Sequence, residues 1–475
     1  VRSRARRPLL ALIGLVALAA LLRFWRIGHQ SYWLDEAFTA RIVRGDFGAM
    51  LDGVRHSEST PPLYYALAWL WERVFGWHEA GLRSLSALFG VATVPAAYAA
   101  ARAAFASERA GLIAAALFAV NPYFVWYSQE ARAYALLVLL CTVALACFLS
   151  RRLVAWGVAT ALALATHYFA AFLVVPMAAW LLWRHRSRAV WLACAIPAAA
   201  ALALLPLALE QRDAGHTLFI GEIPLGERLG SFPKKLATGE LGTPTPGVGI
   251  AIGLALAAGA VLALHGTVRR PGALLLGLAA TSVAAALVLK LAGLDYFFPR
   301  NLIEAFVPLL VAVAGGFAAV RLGPAIAAAV ALAGAALVIQ VSFNASLQRD
   351  DWRGLVRALG PPAGTRTIVL SPEVGKTPMR LYAGRLTPIG VHGVQAAEID
   401  LVANARPPTF VSQRPGKPVT RGPLAGFRIT QVRSTATWQL IRYRARAPRL
   451  VGPHLLGEMR LDRDRPAVVL VQEPG

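Results

Sequence analysis

The chain reads as an all-α polytopic membrane domain over residues 1–344, followed by a small extracytoplasmic α/β domain over residues 345–475. Three observations carry that reading. Apolar residues make up 57% of the 475 positions, and mean hydropathy is positive, which places the chain outside the soluble globular range. Apolar runs recur along the first three quarters, many long enough to cross a hydrocarbon core of roughly 30 Å. Beyond residue 345 these runs give way to an amphipathic helix pattern and to alternating strand patterns.

Taken in order, the apolar runs give 11 candidate spans: 8–27, 82–101, 110–127, 131–149, 153–166, 168–183, 189–209, 248–264, 272–291, 301–320 and 323–344. Ala, Leu and Val dominate them, and Gly and Pro are frequent, as bilayer helices tolerate. The opening "VRSRARRPLLALIGLVALAALL" shares features with a cleaved signal peptide. The carboxylate segment and further spans that follow directly favour an uncleaved first span.

One segment, "PPLYYALAWLWERVFG" at 61–76, is short for a span and carries Glu72 and Arg73 near its end. The positive-inside rule decides its status. If it does not cross, "RSRARR" at 2–7, Arg102 with Arg109, Arg151 with Arg152, "RHRSR" at 184–188, "VRR" at 268–270 and Arg321 all fall on the cytoplasmic side. If it crosses, every later loop flips. The segment is therefore read as an amphipathic juxtamembrane helix on the outer surface. The N-terminus is then cytoplasmic and the tail extracytoplasmic.

The tail opens with "QRDDWRGLVRAL", a helix pattern, then "TRTIVLSP", a short strand. "LAGFRITQVR" and "TWQLIRYRA" alternate like further strands. From Ser346 onward 20 Lys and Arg face 9 Asp and Glu, an excess of 11. The whole chain carries a formal charge of +23. Basic cytoplasmic loops and a basic domain near anionic lipid account for it. No nucleic-acid recognition motif accompanies it, so no nucleic-acid partner is expected. Cys141, Cys147 and Cys194 all lie in apolar runs, so neither a disulfide framework nor a metal cluster is indicated.

The topology collects polar residues on the outer face. "SYWLDEAFTA" at 31–40 sets Asp35 beside Glu36. Adjacent carboxylates on a helix point different ways, so one can face a cavity while the other caps or pairs. An acidic first turn favoured by the helix dipole explains the pair without any function. A general base, taking a proton from an acceptor hydroxyl, explains it with one. "WYSQEARAY" places Glu130, Arg132 and Tyr134 at the start of a span. Trp, Tyr and Arg are common interfacial anchors, but a guanidinium also matches phosphate oxygens bidentately. Arg300 in "DYFFPRNLI" offers the same choice. His167 ends a span, where a structural role competes with a chemical one. Arg83 opens a span on the outer side, against the charge rule. Together they suggest an acidic, arginine-lined pocket at the membrane surface. Transporters more often keep ionisable groups near the midplane, on broken helices within inverted repeats, and no repeat is visible.

"RFWRIGHQSYWLDEAFTA", "TPPLYYALAWLW", "GLRSLSALFGVATVPAAYAAAR" and "NPYFVWYSQEARAYALL" together resemble the GT-C membrane glycosyltransferases. The similarity is to the branch of dolichyl-phosphate-mannose protein mannosyltransferases and bacterial lipid A sugar transferases. It covers roughly residues 8–185, with weaker echoes at "THYF" and "RNLIEAFVPLL". It implies transfer of a hexosyl or pentosyl group from a polyprenyl-phosphate donor to an extracytoplasmic acceptor hydroxyl. It implies a catalytic Asp35 with Glu36 as its partner. Glu130 and Arg132 match the second outer motif, and Arg300 resembles the arginine that meets the donor phosphate. Arg83, Tyr134 and His167 complete the expected substrate-binding set. No metal or other cofactor is expected. Relatives commonly carry a histidine just before the Pro-Pro of the first outer loop, where this chain has Thr60. A non-catalytic transporter or envelope-assembly scaffold on a GT-C shell is the alternative reading.

Overall fold

A computed structural model describes residues 2–404, 425–461 and 466–474. The chain divides into two units. One comprises residues 1–28 and 42–343, the other residues 29–41 and 344–475. Segment 29–41 thus packs with the C-terminal domain, although the sequence runs on either side of it into the membrane unit.

The first unit is helical, and a helix lies at each of the 11 expected segments. Six are long and apolar enough to cross a membrane by themselves: Arg6–Phe24, Glu79–Phe105, Arg188–Asp213, Gly266–Leu291, Pro299–Ala319 and Gly323–Phe343. A seventh is the pair Glu108–Val120 and Pro122–Ser128, bent by 58°. Tyr134–Leu149, Leu153–Thr166, Tyr168–Arg184 and Pro246–Leu262 are apolar but shorter. The protein is a multi-pass membrane protein.

The bend has a local cause. Pro122 cannot donate a backbone hydrogen bond, and Asn121 starts a new helix by accepting from the Tyr123 and Phe124 N–H groups. The carbonyls freed at the end of the preceding helix are met by the buried Arg23, which donates to Phe118 O at 3.0 Å and Ala119 O at 2.7 Å. An apolar cavity cannot supply such partners, so the arginine lets the helix break inside the bundle. Among these six long spans of the described residues, Pro299–Ala319 is the most buried. Close approach there depends on Gly316: a Cβ at that position would lie 1.9 Å from the Gly259 carbonyl oxygen. Small residues at crossings of this kind permit tight packing in membranes.

Segment 61–76 forms the helix Leu63–Phe75, with Tyr64, Tyr65 and Ala68 buried and Leu70, Val74 and Phe75 exposed. Between the expected spans at 189–209 and 248–264 lies a further helix, Leu225–Thr238.

Among its described residues, the second unit is built on a sheet of six strands, β1 (Arg366–Ser371), β2 (Thr387–Pro388), β3 (Val394–Asn404), β4 (Phe427–Ser434), β5 (Trp438–Val451) and β6 (Val468–Gln472). The spatial order is β2-β6-β1-β3-β5-β4. β1 and β3 are parallel, and the other pairs are antiparallel. On one face, Ile368, Leu370, Val402, Leu440 and Leu470 pack with Trp352, Leu355 and Leu359 of the helix Trp352–Leu359. The opposite face carries Val369, Ile399, Leu401, Ile441 and Tyr443, covered by Leu456 and Met459. The fold class is therefore as read from the sequence: a helical membrane unit and a small mixed domain.

Candidate active site

Asp35 and Glu36 lie in the first turn of the helix Leu34–Val43. About 100° of helical rotation separates neighbours in sequence, and the two carboxylates meet different surroundings. Glu36 is fully buried. Its Oε2 accepts from the Trp33 N–H at 3.4 Å and lies 3.7 Å from Nε of the buried Arg349. Accepting an N–H at the helix start while paired to an arginine is a structural task. Asp35 is half-buried, and its carbonyl accepts from Thr39 Oγ1 at 3.3 Å. Of the two, Asp35 has the side chain that solvent or a ligand can reach.

Arg83, Glu130, Arg132, Tyr134, His167 and Arg300 belong to the membrane unit. Arg132 is buried and closes a bidentate pair with Glu58, Nη1 to Oε1 at 2.6 Å and Nη2 to Oε2 at 2.8 Å. Its guanidinium also faces the Tyr65 ring at 5.9 Å. Its carbonyl accepts from Ser86 Oγ at 3.4 Å, and Ser86 in turn meets the Tyr64 hydroxyl. The fork expected to grip a phosphate thus grips a carboxylate, that of Glu58. Thr60 itself is buried, and its carbonyl accepts from Gln211 Nε2 at 3.2 Å.

Tyr134 packs edge-on against Tyr127 at 4.7 Å and lies 5.6 Å from the His167 ring. His167 is buried, and its Nδ1 accepts from the Phe169 N–H at 3.3 Å. The ring proton therefore sits on Nε2. Burial first, then the positive charges of Arg132 and Arg300, lowers its pKa to about 3. A neutral donor at this position orients or polarises; it does not add a positive charge. Arg300 is half-buried in the Pro299–Ala305 turn, 5.5 Å from the Phe298 ring and 6.0 Å from that of Phe219. Its charge reaches Tyr127 as well as His167.

Two residues absent from the sequence reading join this group. Lys235 pairs with Glu240 and lies 5.8 Å from the Phe298 ring. Glu240 also accepts from the Tyr127 hydroxyl at 3.0 Å. Nothing in the local pattern marks them: Lys235 lies in the helix Leu225–Thr238 and Glu240 just beyond its end. Glu130 is fully buried, and its charge too is felt at Tyr127. Arg83 is buried and donates from Nη1 to the Ile27 carbonyl at 3.0 Å. Nearby, Arg228 holds Asp295 through two bonds of 2.7 and 2.9 Å, with Lys290 on the same carboxylate. These contacts lower the pKa of Asp295 to about 2, chiefly through the Arg228 hydrogen bonds.

The membrane unit therefore gathers Arg132, Tyr134, His167 and Arg300, together with Glu58, Tyr127, Lys235 and Glu240, into one polar and aromatic neighbourhood. Cations lying against aromatic rings can offer donors to an anionic group while their stems stay in an apolar setting. Among the described residues, no three His, Cys, Asp or Glu side chains come together as a metal site.

The comparisons with known proteins agree with this architecture. Residues 59–209 match the model of the dolichyl-phosphate-mannose-protein mannosyltransferase family. The oligosaccharyltransferase of Archaeoglobus fulgidus in its apo form aligns with 80% of this chain and 64% of its own, at 14% identity and a TM-score of 0.50. The chain has the GT-C fold. The same archaeal enzyme, AglB, in complex with an inhibitory peptide and a dolichol-phosphate gives the same coverage, identity and TM-score. ArnT from Cupriavidus metallidurans bound to undecaprenyl phosphate aligns over 70% of this chain and 64% of its own, with 19% identity and a TM-score of 0.46. The chain spans less than two thirds of the length of the archaeal enzyme. Comparison with curated proteins finds none that matches.

Proposed function

We propose that this chain transfers a sugar from a polyprenyl-phosphate donor to an acceptor hydroxyl at the outer face of the cytoplasmic membrane. The observation that carries the reading is the set of cations, Arg300 and Lys235, lying against Phe298 in the membrane unit. A half-buried arginine on an aromatic ring suits a ligand with a phosphate head and an apolar tail. The match to the mannosyltransferase family over 59–209 supports the same reaction class.

The chemistry follows from charge. The acceptor oxygen attacks the anomeric carbon, and the bond from that carbon to the phosphate oxygen breaks. The acceptor proton passes to Asp35, which is accessible where Glu36 is not. The polyprenyl phosphate leaves as an anion, and Arg300 stabilises the charge that develops on it, an effect that grows as water is excluded. His167, neutral with its proton on Nε2, can donate a hydrogen bond without changing the local charge. Arg132, tied to Glu58, shapes the wall beside it. The donor lipid and the acceptor are then the partners. The charge pattern of the loops supports a cytoplasmic N-terminus and an extracytoplasmic C-terminal domain.

The test is transfer of label in membranes containing the chain, supplied with radiolabelled polyprenyl-phosphate-mannose and, separately, polyprenyl-phosphate-arabinose. Label should move into an acceptor from one of the two, and only in membranes that contain the chain. Absence of transfer from both, with folded protein present, would favour the scaffold reading.

A further inference from the structure

Segment 29–41 is bonded residue by residue to the C-terminal domain. The His29 carbonyl accepts from Arg353 Nη2 at 2.5 Å. Gln30 Oε1 accepts from the Arg349 N–H at 2.8 Å. Ser31 Oγ donates to the Asp350 carbonyl at 2.7 Å. The Tyr32 N–H donates to the Tyr382 hydroxyl at 2.7 Å. Glu36 then faces Arg349, both of them buried. Asp350 is itself anchored to the sheet, because its Oδ2 accepts from Asn404 Nδ2 at 2.8 Å at the end of β3.

Four consecutive residues and a buried charge pair are far more than chain continuity requires. Ser31 and Tyr32 are buried, so each polar group there needs its partner. The backbone entering the helix Leu34–Val43 is fixed from one side by atoms about 320 residues further along the chain.

We infer that Arg349 and Tyr382 are positioning residues for Asp35, and that the C-terminal domain acts in the reaction by setting the place and direction of the first-loop carboxylate. The inference rests on the proposed role of Asp35. Arg349 acts through Glu36, one residue along the helix from Asp35. Tyr382 acts through the Tyr32 amide, three residues before it. Neither contributes a proton or a bond to the substrate. Their effect is on the geometry of proton removal, where a misplacement of about 1 Å can cost roughly 100-fold in rate.

The test uses the full-length protein in membranes and in detergent, with Arg349→Gln, Arg349→Lys, Tyr382→Phe and Asp35→Asn. Hydrogen exchange at the amides of residues 31–40 should quicken by about tenfold or more in Arg349→Gln and Tyr382→Phe. The remaining amides of the sheet should exchange as in the wild type, which separates loosening of the segment from unfolding of the domain. With whichever labelled donor supports transfer, kcat should fall by about 10- to 100-fold in Arg349→Gln while the KM for donor stays within about twofold. Arg349→Lys should restore most of it. Unchanged exchange in both variants, or faster exchange with unchanged kcat, overturns the inference. Asp35→Asn in the same assay separates the two ideas. If it retains full activity, the base assignment fails whatever the exchange data show. If it is inactive while Arg349→Gln and Tyr382→Phe keep the wild-type kcat, only the positioning role fails.

Discussion

Buried arginines occur in both units, and they are handled differently. In the sheet, Arg366 on β1 and Arg442 on β5 meet Glu398 and Asp400 on β3, with Arg444 on Glu398 from the edge. Arg366 and Arg442 also donate to Leu359 O, and Arg366 to Gly360 O, at the end of the helix Trp352–Leu359. Three strands and a helix C-terminus are thereby locked into one register, and the cations complement the helix dipole. In the membrane unit, Arg132 is also saturated, by Glu58. Arg300 is half-exposed and leans on aromatic rings. Charge enclosed on every side holds a fold together. A cation on an aromatic rim can still meet a ligand. Arg132 resembles the sheet arginines more than it resembles Arg300, which is why the proposed phosphate contact rests on Arg300.

The contrast can be attacked most forcefully in the sheet. Asp400→Ala removes two bonds of 2.8 and 2.9 Å from Arg442 and leaves Glu398 as the one carboxylate facing Arg366, Arg442 and Arg444, and removing one partner from a buried charge network costs about 3–5 kcal/mol. Thermal and denaturant unfolding of the purified protein should show a loss of that size. A loss under about 1 kcal/mol would mean the network is solvated.

Arg132 is the intermediate case. Arg132→Leu strands Glu58 and should destabilise by roughly 3 kcal/mol, whereas Arg132→Leu with Glu58→Leu should recover most of it. If the pair is purely structural, the double variant keeps the donor KM of the wild type. A donor KM raised about tenfold in a stable double variant would instead give Arg132 a share in phosphate binding, worth about 1.4 kcal/mol.

Arg300→Ala should raise the donor KM by about tenfold without loss of stability, with Arg300→Lys recovering part. Unchanged donor dependence would return Arg300 to the role of a boundary anchor.

The smallest effect concerns pH. Asp295 has a lowered pKa in the folded protein, so its pairing with Arg228 and Lys290 contributes fully above the ordinary carboxylate pKa of about 4. The contribution fades as pH falls toward about 2. Asp295→Asn should therefore flatten the acid limb of the stability curve between those values. An unchanged limb would place the acid sensitivity elsewhere.

The fold was largely legible because length and hydropathy are local properties. Every apolar segment became a helix, and the strands at "TRTIVLSP" and "TWQLIRYRA" appeared as β1 and β5. What stayed hidden depends on distant partners. β3 reads poorly as a strand because Glu398 and Asp400 interrupt its apolar pattern, and only arginines on β1 and β5 make them tolerable inside. The break at Asn121–Pro122 was visible as a proline within a run, but the arginine that permits it sits about 100 residues earlier. Of the candidate site, Asp35, Arg132, His167 and Arg300 stood out by type and place. Glu58, Lys235 and Glu240 did not, since each gains meaning only from what it pairs with. The membership of 29–41 in the C-terminal unit has no local signal, because each bond joins groups about 320 to 350 residues apart and nothing at either end marks its partner.

The proposed chemistry turns on Asp35 removing the acceptor proton, and Asp35→Asn probes that step without an intermediary. Transfer from the labelled donor should fall by about 100-fold or more, within the range for loss of a general base, with the unfolding curve and the donor KM close to the wild type. Full transfer by the Asp35→Asn variant would contradict the assignment and move the base to another residue.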